Sequence, residues 1–524
     1  MNLIDSLNDV QKEAVVNTDG AMLILAGAGS GKTRVLTTKV AYLIKEKGVR
    51  PDNVLAITFT NKAAKEMKER IYSLVGNDAF KIQISTFHSF GLKILKQNYN
   101  LLGYQSNFTI IDSDDSLSVV KKIMKELGID ANKYNPRAVR SAISNNKNEM
   151  IDPINYENYV HTDYDEVVRD VYKKYEKNLK LNNAIDFDDL LILPLKLFKE
   201  NPFVLKEYQE IYKYIFIDEY QDTNEPQYLL SKLISSKYKN ITVVGDADQA
   251  IFTWRGAKVV VLEENYRSTK TILNAANNVI RNNKVRKEKN LWTENDEGNK
   301  ITYYKAFDEK DESYYVVKEI KKLLNENISP NDICVLYRAN AQSRTIEEAF
   351  LSNAISYRIV GAYAFYNRKE IKDLMEYLKL IYNEKDDISL LRVINYPKRG
   401  IGNKSIENLS IKADVSNKSL YEVIDSGKEL EFKNLIERMK KESEKLSLTE
   451  LIDYVLKESG IKESLESEKT LEADIRLENL EEFKSITKNF EESEGIVSLE
   501  DFLDELSLVS DVSEQKNETE EKVT

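Results

Sequence analysis

Cysteine is all but absent from this 524-residue chain, and the single Cys334 excludes an internal disulfide. Histidine is nearly as scarce. With only His88 and His161 no zinc cluster of familiar spacing can be assembled, so any metal must sit on oxygen ligands. No run approaches the ~18 apolar residues that a membrane span requires, and the start, MNLIDSLNDV, lacks the basic flank and apolar stretch of a secretory leader. These absences predict a cytoplasmic protein with no membrane partner. A surplus of positive charge is missing too: the net charge of −11 argues at first against nucleic acid, whose partners present basic surfaces. The distribution weakens that objection. From Glu491 to Thr524 twelve acidic residues face two lysines, so this tail carries −10 and everything before it sums to −1. A nearly neutral body can still present a basic groove.

What is present is length and an alternating pattern. A chain of this size exceeds what one hydrophobic core supports, and two to four domains are expected. The runs AMLILAGAG, NVLAITFT, KIQISTFHSF, YKYIFIDEY and ITVVGD alternate with amphipathic stretches, the signature of parallel strands covered on both faces by helices. Between the third and fourth of these lies a polar, Lys- and Asn-rich helical segment from about Ile110 to Leu190, which reads as an insertion. A second α/β unit is expected to begin near Val259, with strands KVVVLEEN, ITYYKA and DICVLYRA and the helix DESYYVVKEIKKLLNE between them. After about Glu370 the strand patterns stop, and the remainder is helical and charged. The end, SEQKNETEEKVT, has too little apolar content to fold and is expected to be disordered.

The strongest chemical signal is LILAGAGSGKTRV: an apolar strand, a glycine-rich turn, then Gly31-Lys32-Thr33 opening a helix. Such a turn curls backbone N–H groups around a phosphate, Lys32 can reach the β and γ oxygens, and Thr33 can hold Mg²⁺. Ala26 stands where the generic phosphate-loop pattern has its first Gly. YIFIDEYQDT ends a buried strand in Asp218-Glu219, at the sheet edge where open α/β sheets bind ligands. Asp218 would support Mg²⁺ and Glu219 would accept the proton of an attacking water. In VVGDADQAI, Gln249 could touch a γ-phosphate or that water, or be a plain loop glutamine. Gln11, in SLNDVQKEAV, has an amide able to bond the N6 and N7 edge of adenine, although a surface glutamine on an amphipathic helix gives the same pattern.

Taken in order, LNDVQKEAV, AGAGSGKTRV, ITFTNKAAKEMKER, ISTFHSFG, IDEYQDT, VGDADQAIFTWRGA and LEENYRS resemble the superfamily 1 DNA helicases of the UvrD, PcrA and Rep type. VLYRANAQSRTIEEAF, YRIVGAYAFYNRKEIKDL and INYPKRGIGNKSIENL extend the likeness from residue 3 to beyond 410. The resemblance implies an α/β fold: a P-loop NTPase with RecA-like parallel-sheet core domains and helical insertions. It divides the chain into a first core domain (1–109 and 191–265) interrupted by a helical insertion (110–190), then an incomplete second core domain (266–372), its helical insertion (373–510) and an acidic disordered tail (511–524). It also implies ATP and Mg²⁺ as cofactors, single-stranded and duplex DNA as partners, and 3′-to-5′ unwinding in repair or replication.

Roles then follow position by position. Ala26, Gly27, Ala28, Gly29, Ser30, Gly31, Lys32, Thr33 and Arg34 would hold the phosphates, Gln11 would select adenine and Tyr266 would stack on it. Thr33 and Asp218 would carry the metal. Glu219, Lys32, Gln249 and the arginine finger Arg267 would form the catalytic set. Phe59, Phe252 and Trp254 would pack on bases, a contact worth ~1–3 kcal/mol per base whatever the sequence. As residue types alone, Phe59 and Phe252 also read as core aromatics. Arg255 would couple the DNA groove to the nucleotide. Lys62, with Lys65 and Lys68, would meet the DNA backbone, or else form a solvated helix face. Gly400 and Gly402, in KRGIGNKS, would let the main chain approach duplex phosphates, with Lys398, Arg399 and Lys404 adding charge.

Two departures from the family stand out. In TWRGAKVVVLEENYRS the strand follows WRGA directly, where the family places a helix. No HxxKG or TRA pattern follows residue 370, so the Thr/His/Lys-Gly segment and a second γ-phosphate arginine are missing. An arginine finger contributes about 10³–10⁵ in kcat. A separate chain supplying these motifs is therefore one expected partner, and a chain that binds ATP and single-stranded DNA with little hydrolysis and no unwinding is the alternative reading.

Overall fold

The protein is described by a computed structural model covering residues 3–246, 257–282, 291–338, 342–359, 365–366, 368–495, 498–508 and 522–524. It divides into two compact units: residues 1–262 with 365–508, and residues 263–364 with 509–524. Among the described residues no helix is long and apolar enough to cross a membrane.

The first unit is built on a parallel sheet. Its strands are β1 (Ala21–Ala26), β2 (Val54–Thr58), β3 (Gln83–Thr86), β6 (Tyr214–Ile217), β7 (Ile241–Gly245) and β8 (Lys258–Leu262), in the order β3-β2-β6-β7-β1-β8. β4 (Thr109–Ile111) and β5 (Ala184–Asp186) form a separate parallel pair. The continuous apolar runs are explained by burial on both faces. Leu23, Leu25, Ile57, Ile215 and Val243 pack on one side with Phe87, Phe90 and Leu191, while Met22, Ile24, Ala56, Phe216 and Val244 pack on the other with Val35, Leu36 and Met67. The helices α1 (Asp9–Val16), α2 (Lys32–Lys45) and α3 (Asn61–Val75) cover this second face.

Two strand expectations are corrected here. KIQISTFHSF is a strand only to Thr86, because Thr86 caps a helix by accepting from Ser89 N at 3.1 Å, and Phe87–Asn98 continues as α4. KVVVL does not open a second sheet. It is β8 of the first, pairing in parallel with β1 so that Ile24 faces Val244 on one side and Val260 on the other. β7 and β8 are not neighbours, since β1 lies between them, and all but the ends of the connection joining them lies outside the described residues.

From β4 the chain enters three helices, α5 (Ser113–Glu126), α6 (Pro136–Asn148) and α7 (Asp163–Leu181), with their own core of Val120, Ile123, Val139, Val171 and Tyr172. It then returns through β5 to α8 (Asp189–Glu200), α9 (Pro202–Ile211) and, after β6, α10 (Glu225–Ser235). Residues 369–508 are helical, and they pack within this same unit. Lys96 bridges Glu500 at 2.8 Å and Asp504 at 3.1 Å, Lys379 pairs with Asp115 at 3.1 Å, and Asn383 donates to Asn182 O at 2.9 Å.

In the second unit the helix Glu309–Asn325 packs on the helix Ser343–Ser352 around Val317, Ile320 and Phe350. Among the described residues neither ITYYKA nor DICVLYRA forms a regular strand, since strands need neighbours and the pairing available is short. Val335 N donates to Thr524 O and Thr524 N to Ile333 O, while Val523 N donates to Ser356 O and Arg358 N to Val523 O. Val523 is fully buried in this cluster, so Lys522–Thr524 are ordered where disorder was expected for the tail; the rest of that tail lies outside the described residues.

The base of the three-helix insertion is tied to β5 and α8 by charge. Lys147 on α6 is wholly buried, with Nζ 2.8 Å from each of Glu176, Asp186 and Asp189. Burial and the charge of Asp186 push the Asp189 carboxyl well above the usual carboxylate range. Beside it, Asn148 donates to Asp188 at 2.9 Å and accepts from Asn224 at 3.1 Å, and Asn224 caps α10. Removing the cation leaves like charges buried together. Lys147→Ala should cost about 3–5 kcal/mol, and adding Asp189→Asn should recover part of it; urea midpoints of the two variants check both.

Candidate active site

β1 delivers the chain to the carboxyl edge of the sheet, where Ala26 and Gly27 are still buried and the turn begins. Ser30 closes it by donating from Oγ to Gly27 O at 2.8 Å. Gly31 caps α2 with φ +86°, a conformation that L side chains disfavour, and offers no side-chain acceptor to the first N–H groups of the helix. Those donors and the positive end of the helix dipole suit an anion. Lys32 and Thr33 are its first residues, with Arg34 outside, donating to Ser6 O at 2.9 Å.

Gln11 is not on open surface but 1% exposed. It completes a capping box with Asn8 on α1 and donates from Nε2 to Ser30 O at 3.2 Å, so its amide braces the phosphate turn directly. A Cβ on Gly31 would lie 3.0 Å from that Nε2.

β6 supplies the opposite side. Asp218 is buried, its N–H bonded to Ile57 O, and its Oδ2 accepts from Thr33 Oγ1 at 3.2 Å. Burial, then the neighbouring charge of Glu219, raises its pKa above the ordinary carboxylate value. Glu219 adopts φ +49°, a left-handed conformation that costs a non-glycine residue about 1–3 kcal/mol. There the chain reverses, and the carboxylate meets Lys32: Nζ to Oε2 is 2.6 Å. Gln221, in the 3₁₀ turn Tyr220–Asp222, donates to the same Oε2 at 2.7 Å. Thr33 and Asp218 present hard oxygen donors within one hydrogen bond of each other, a set that fits Mg²⁺ in chemistry, although among the described residues no cluster of three acidic, His or Cys side chains is formed for a metal. The glycine turn and the Lys32 ammonium fit a nucleotide triphosphate.

The other expected residues are distributed more widely. Phe59, between β2 and α3, is 55% exposed and therefore not a core aromatic, and Lys62 beside it on α3 is exposed. Gln249, Phe252, Trp254 and Arg255 lie outside the described residues. Tyr266 and Arg267 belong to the second unit, both exposed. Their turn is built by buried Asn265, whose Oδ1 accepts from Arg267 N at 2.9 Å and Ser268 N at 2.7 Å. Gly400 and Gly402 precede the helix Asn403–Ser416. Arg399 is not available as a loose charge there: its guanidinium donates to the carbonyls of Val393, Tyr396, Pro397 and Ser459. Gln221 and Asn265 lie within the motifs IDEYQDT and LEENYRS but were given no role there, since only the turn geometry shows which groups their side chains hold.

Comparison with known proteins agrees with this arrangement. Residues 7–270 match the family model of the UvrD/REP helicase N-terminal domain, and residues 260–524 that of the UvrD-like helicase C-terminal domain. The chain is 48% identical to the ATP-dependent DNA helicase PcrA of Staphylococcus aureus over 544 residues, covering 98% of this chain and 74% of the relative. It is 46% identical to PcrA of Bacillus subtilis over 546 residues, covering 99% and 74%. Both aligned lengths exceed the 524 residues of the chain, so each relative has residues within the matched span that this chain lacks. With a glycine turn, a lysine and an acidic pair joined across the sheet edge, and with these matches over nearly its whole length, the chain belongs to the UvrD/REP helicase family.

Proposed function

We propose that the chain is an ATP-dependent DNA helicase that hydrolyses ATP to move 3′ to 5′ on single-stranded DNA. The observation that carries this reading is the ion pair of Lys32 with Glu219 at 2.6 Å beside the Thr33–Asp218 hydrogen bond, in a chain that shares 48% of its residues with a DNA helicase. The γ-phosphate competes with Glu219 for the Lys32 ammonium. Its arrival releases the carboxylate to take the proton of an attacking water, so the base is freed by the substrate it serves. Thr33 and Asp218 would hold Mg²⁺, which would supply charge neutralisation at the phosphate oxygens when bound.

Gln11 braces the phosphate turn from α1, so adenine contact at Gln11 would be felt at Ser30 and Gly31. Phe59 and Lys62 provide an aromatic face and a cation next to the strand end, suited to a base and a phosphate of single-stranded DNA. Gln249, Phe252, Trp254, Arg255, Tyr266 and Arg267 take the roles implied by their motifs, and Gly400 and Gly402 meet duplex phosphates.

Steady-state ATP hydrolysis with and without single-stranded DNA tests the reading. The chain should show strong stimulation by DNA, and Lys32→Ala and Glu219→Gln should each lower it by about 10²–10⁴. Nucleotide binding without DNA-stimulated turnover would overturn the motor reading. In a second test, Gly31→Ala should weaken binding of a fluorescent ATP analogue at least tenfold with folding retained, because the added Cβ strains a left-handed position and displaces the Gln11 amide; unchanged affinity would remove Gln11 and the turn from the nucleotide site.

A further inference from the structure

Gln221 makes three bonds that join parts of the site otherwise separate in the fold. Its Nε2 donates to Glu219 Oε2 at 2.7 Å and to Asp222 Oδ2 at 3.1 Å, and its Oε1 accepts from Asp246 N at 2.9 Å. Carboxylates need donors and a main-chain N–H needs an acceptor, so these partners fix which way the amide points. Asp246 is the first residue after β7, and β7 lies between β6 and β1, the strands that deliver Glu219 and the phosphate turn. From Asp246 the chain leads within a few residues to Gln249 and Trp254. The close approach depends on Gly245, where a Cβ would lie 2.9 Å from Gln221 Oε1 and 3.2 Å from Gln221 N.

We propose that Gln221 is a positioning residue for ATP hydrolysis: its amide clamps the Glu219 carboxylate to the main chain at the end of β7. This rests on the assignment of Glu219 as the base. Lys32 and Gln221 share one oxygen of Glu219. When phosphate draws Lys32 away, Gln221 is the donor that stays, and it holds the carboxylate in place at the moment it must act.

The test uses the full chain and three variants beside Glu219→Gln. Gln221→Ala removes the clamp. Gln221→Glu keeps its shape and its acceptor for Asp246 N but turns a donor into a carboxylate facing Glu219 and Asp222. Gly245→Ala disturbs the far end with Gln221 intact. Each should lower DNA-stimulated kcat by about ten- to a hundredfold, with the KM for ATP, the affinity for a fluorescent ATP analogue and the thermal midpoint close to those of the parent chain. Wild-type kcat in Gln221→Ala and Gln221→Glu while Glu219→Gln is inactive would overturn the clamp and leave the base standing. A fall in kcat matched by parallel changes in KM and thermal midpoint would also overturn it, marking a merely structural role. Full activity in Glu219→Gln would remove the base itself, and the clamp with it.

Discussion

The ion pair of Lys32 with Glu219 is the contact around which the candidate site is organised, since it joins the ends of two strands that are not neighbours. β1 and β6 are separated by β7, so a lysine opening the helix after one and a glutamate ending the other can meet only over the end of the strand between them. A parallel sheet makes this possible by bringing all its carboxyl ends to one edge. The register then sets the distance: Ile24 is level with Val244, and Val243 with Ile217. Slippage by one residue at either ladder would exchange the side chains packed into the two cores and part the charges together, so the same apolar pattern that stabilises the sheet also aligns the site.

The buried polar networks of this unit extend that alignment into the helical parts. Lys147 with its three carboxylates anchors α6 to β5 and α8, and the Asn148–Asn224 contact carries the connection to the cap of α10, the helix directly after the acidic turn. Such groups contribute little net stability compared with apolar packing, but breaking them is costly, so they specify one arrangement. The insertion thereby fixes the far side of the turn that holds Glu219.

How much of this could be read from residues alone follows from the range of the forces involved. The phosphate turn and the acidic pair were legible because each is a local pattern, a strand followed by a fixed set of residue types. The two-faced burial of the sheet was legible for the same reason. KVVVL was not placed correctly, since an apolar run states that it is a strand but not which edge will accept it; pairing with β1 is a long-range choice. The second unit shows the reverse case: ITYYKA and DICVLYRA have strand composition, yet among the described residues neither forms a ladder, and DICVLYRA finds only the short pairing with Thr524. Gln11 and Arg399 changed character for a related reason. Both look like surface side chains in sequence, and both are drawn inward by backbone acceptors that only the fold supplies.

Glu219 shows how a strained residue can be held without a glycine. At φ +49° it sits where a side chain is disfavoured, and in return the chain turns back across the strand ends instead of leaving along β6. The cost is offset on both sides of the bend. Asp218 N is tied to Ile57 O before it, while Asp222 N donates to Glu219 O at 3.0 Å and Thr223 N to Tyr220 O at 3.2 Å after it. A glycine would relieve the strain and lose the carboxylate; a relaxed glutamate would keep the carboxylate and aim it away from Lys32. Hydrogen bonds from β2 and the 3₁₀ turn thus hold one acidic group at the bend, beside Lys32, at the place where phosphate would take its partner.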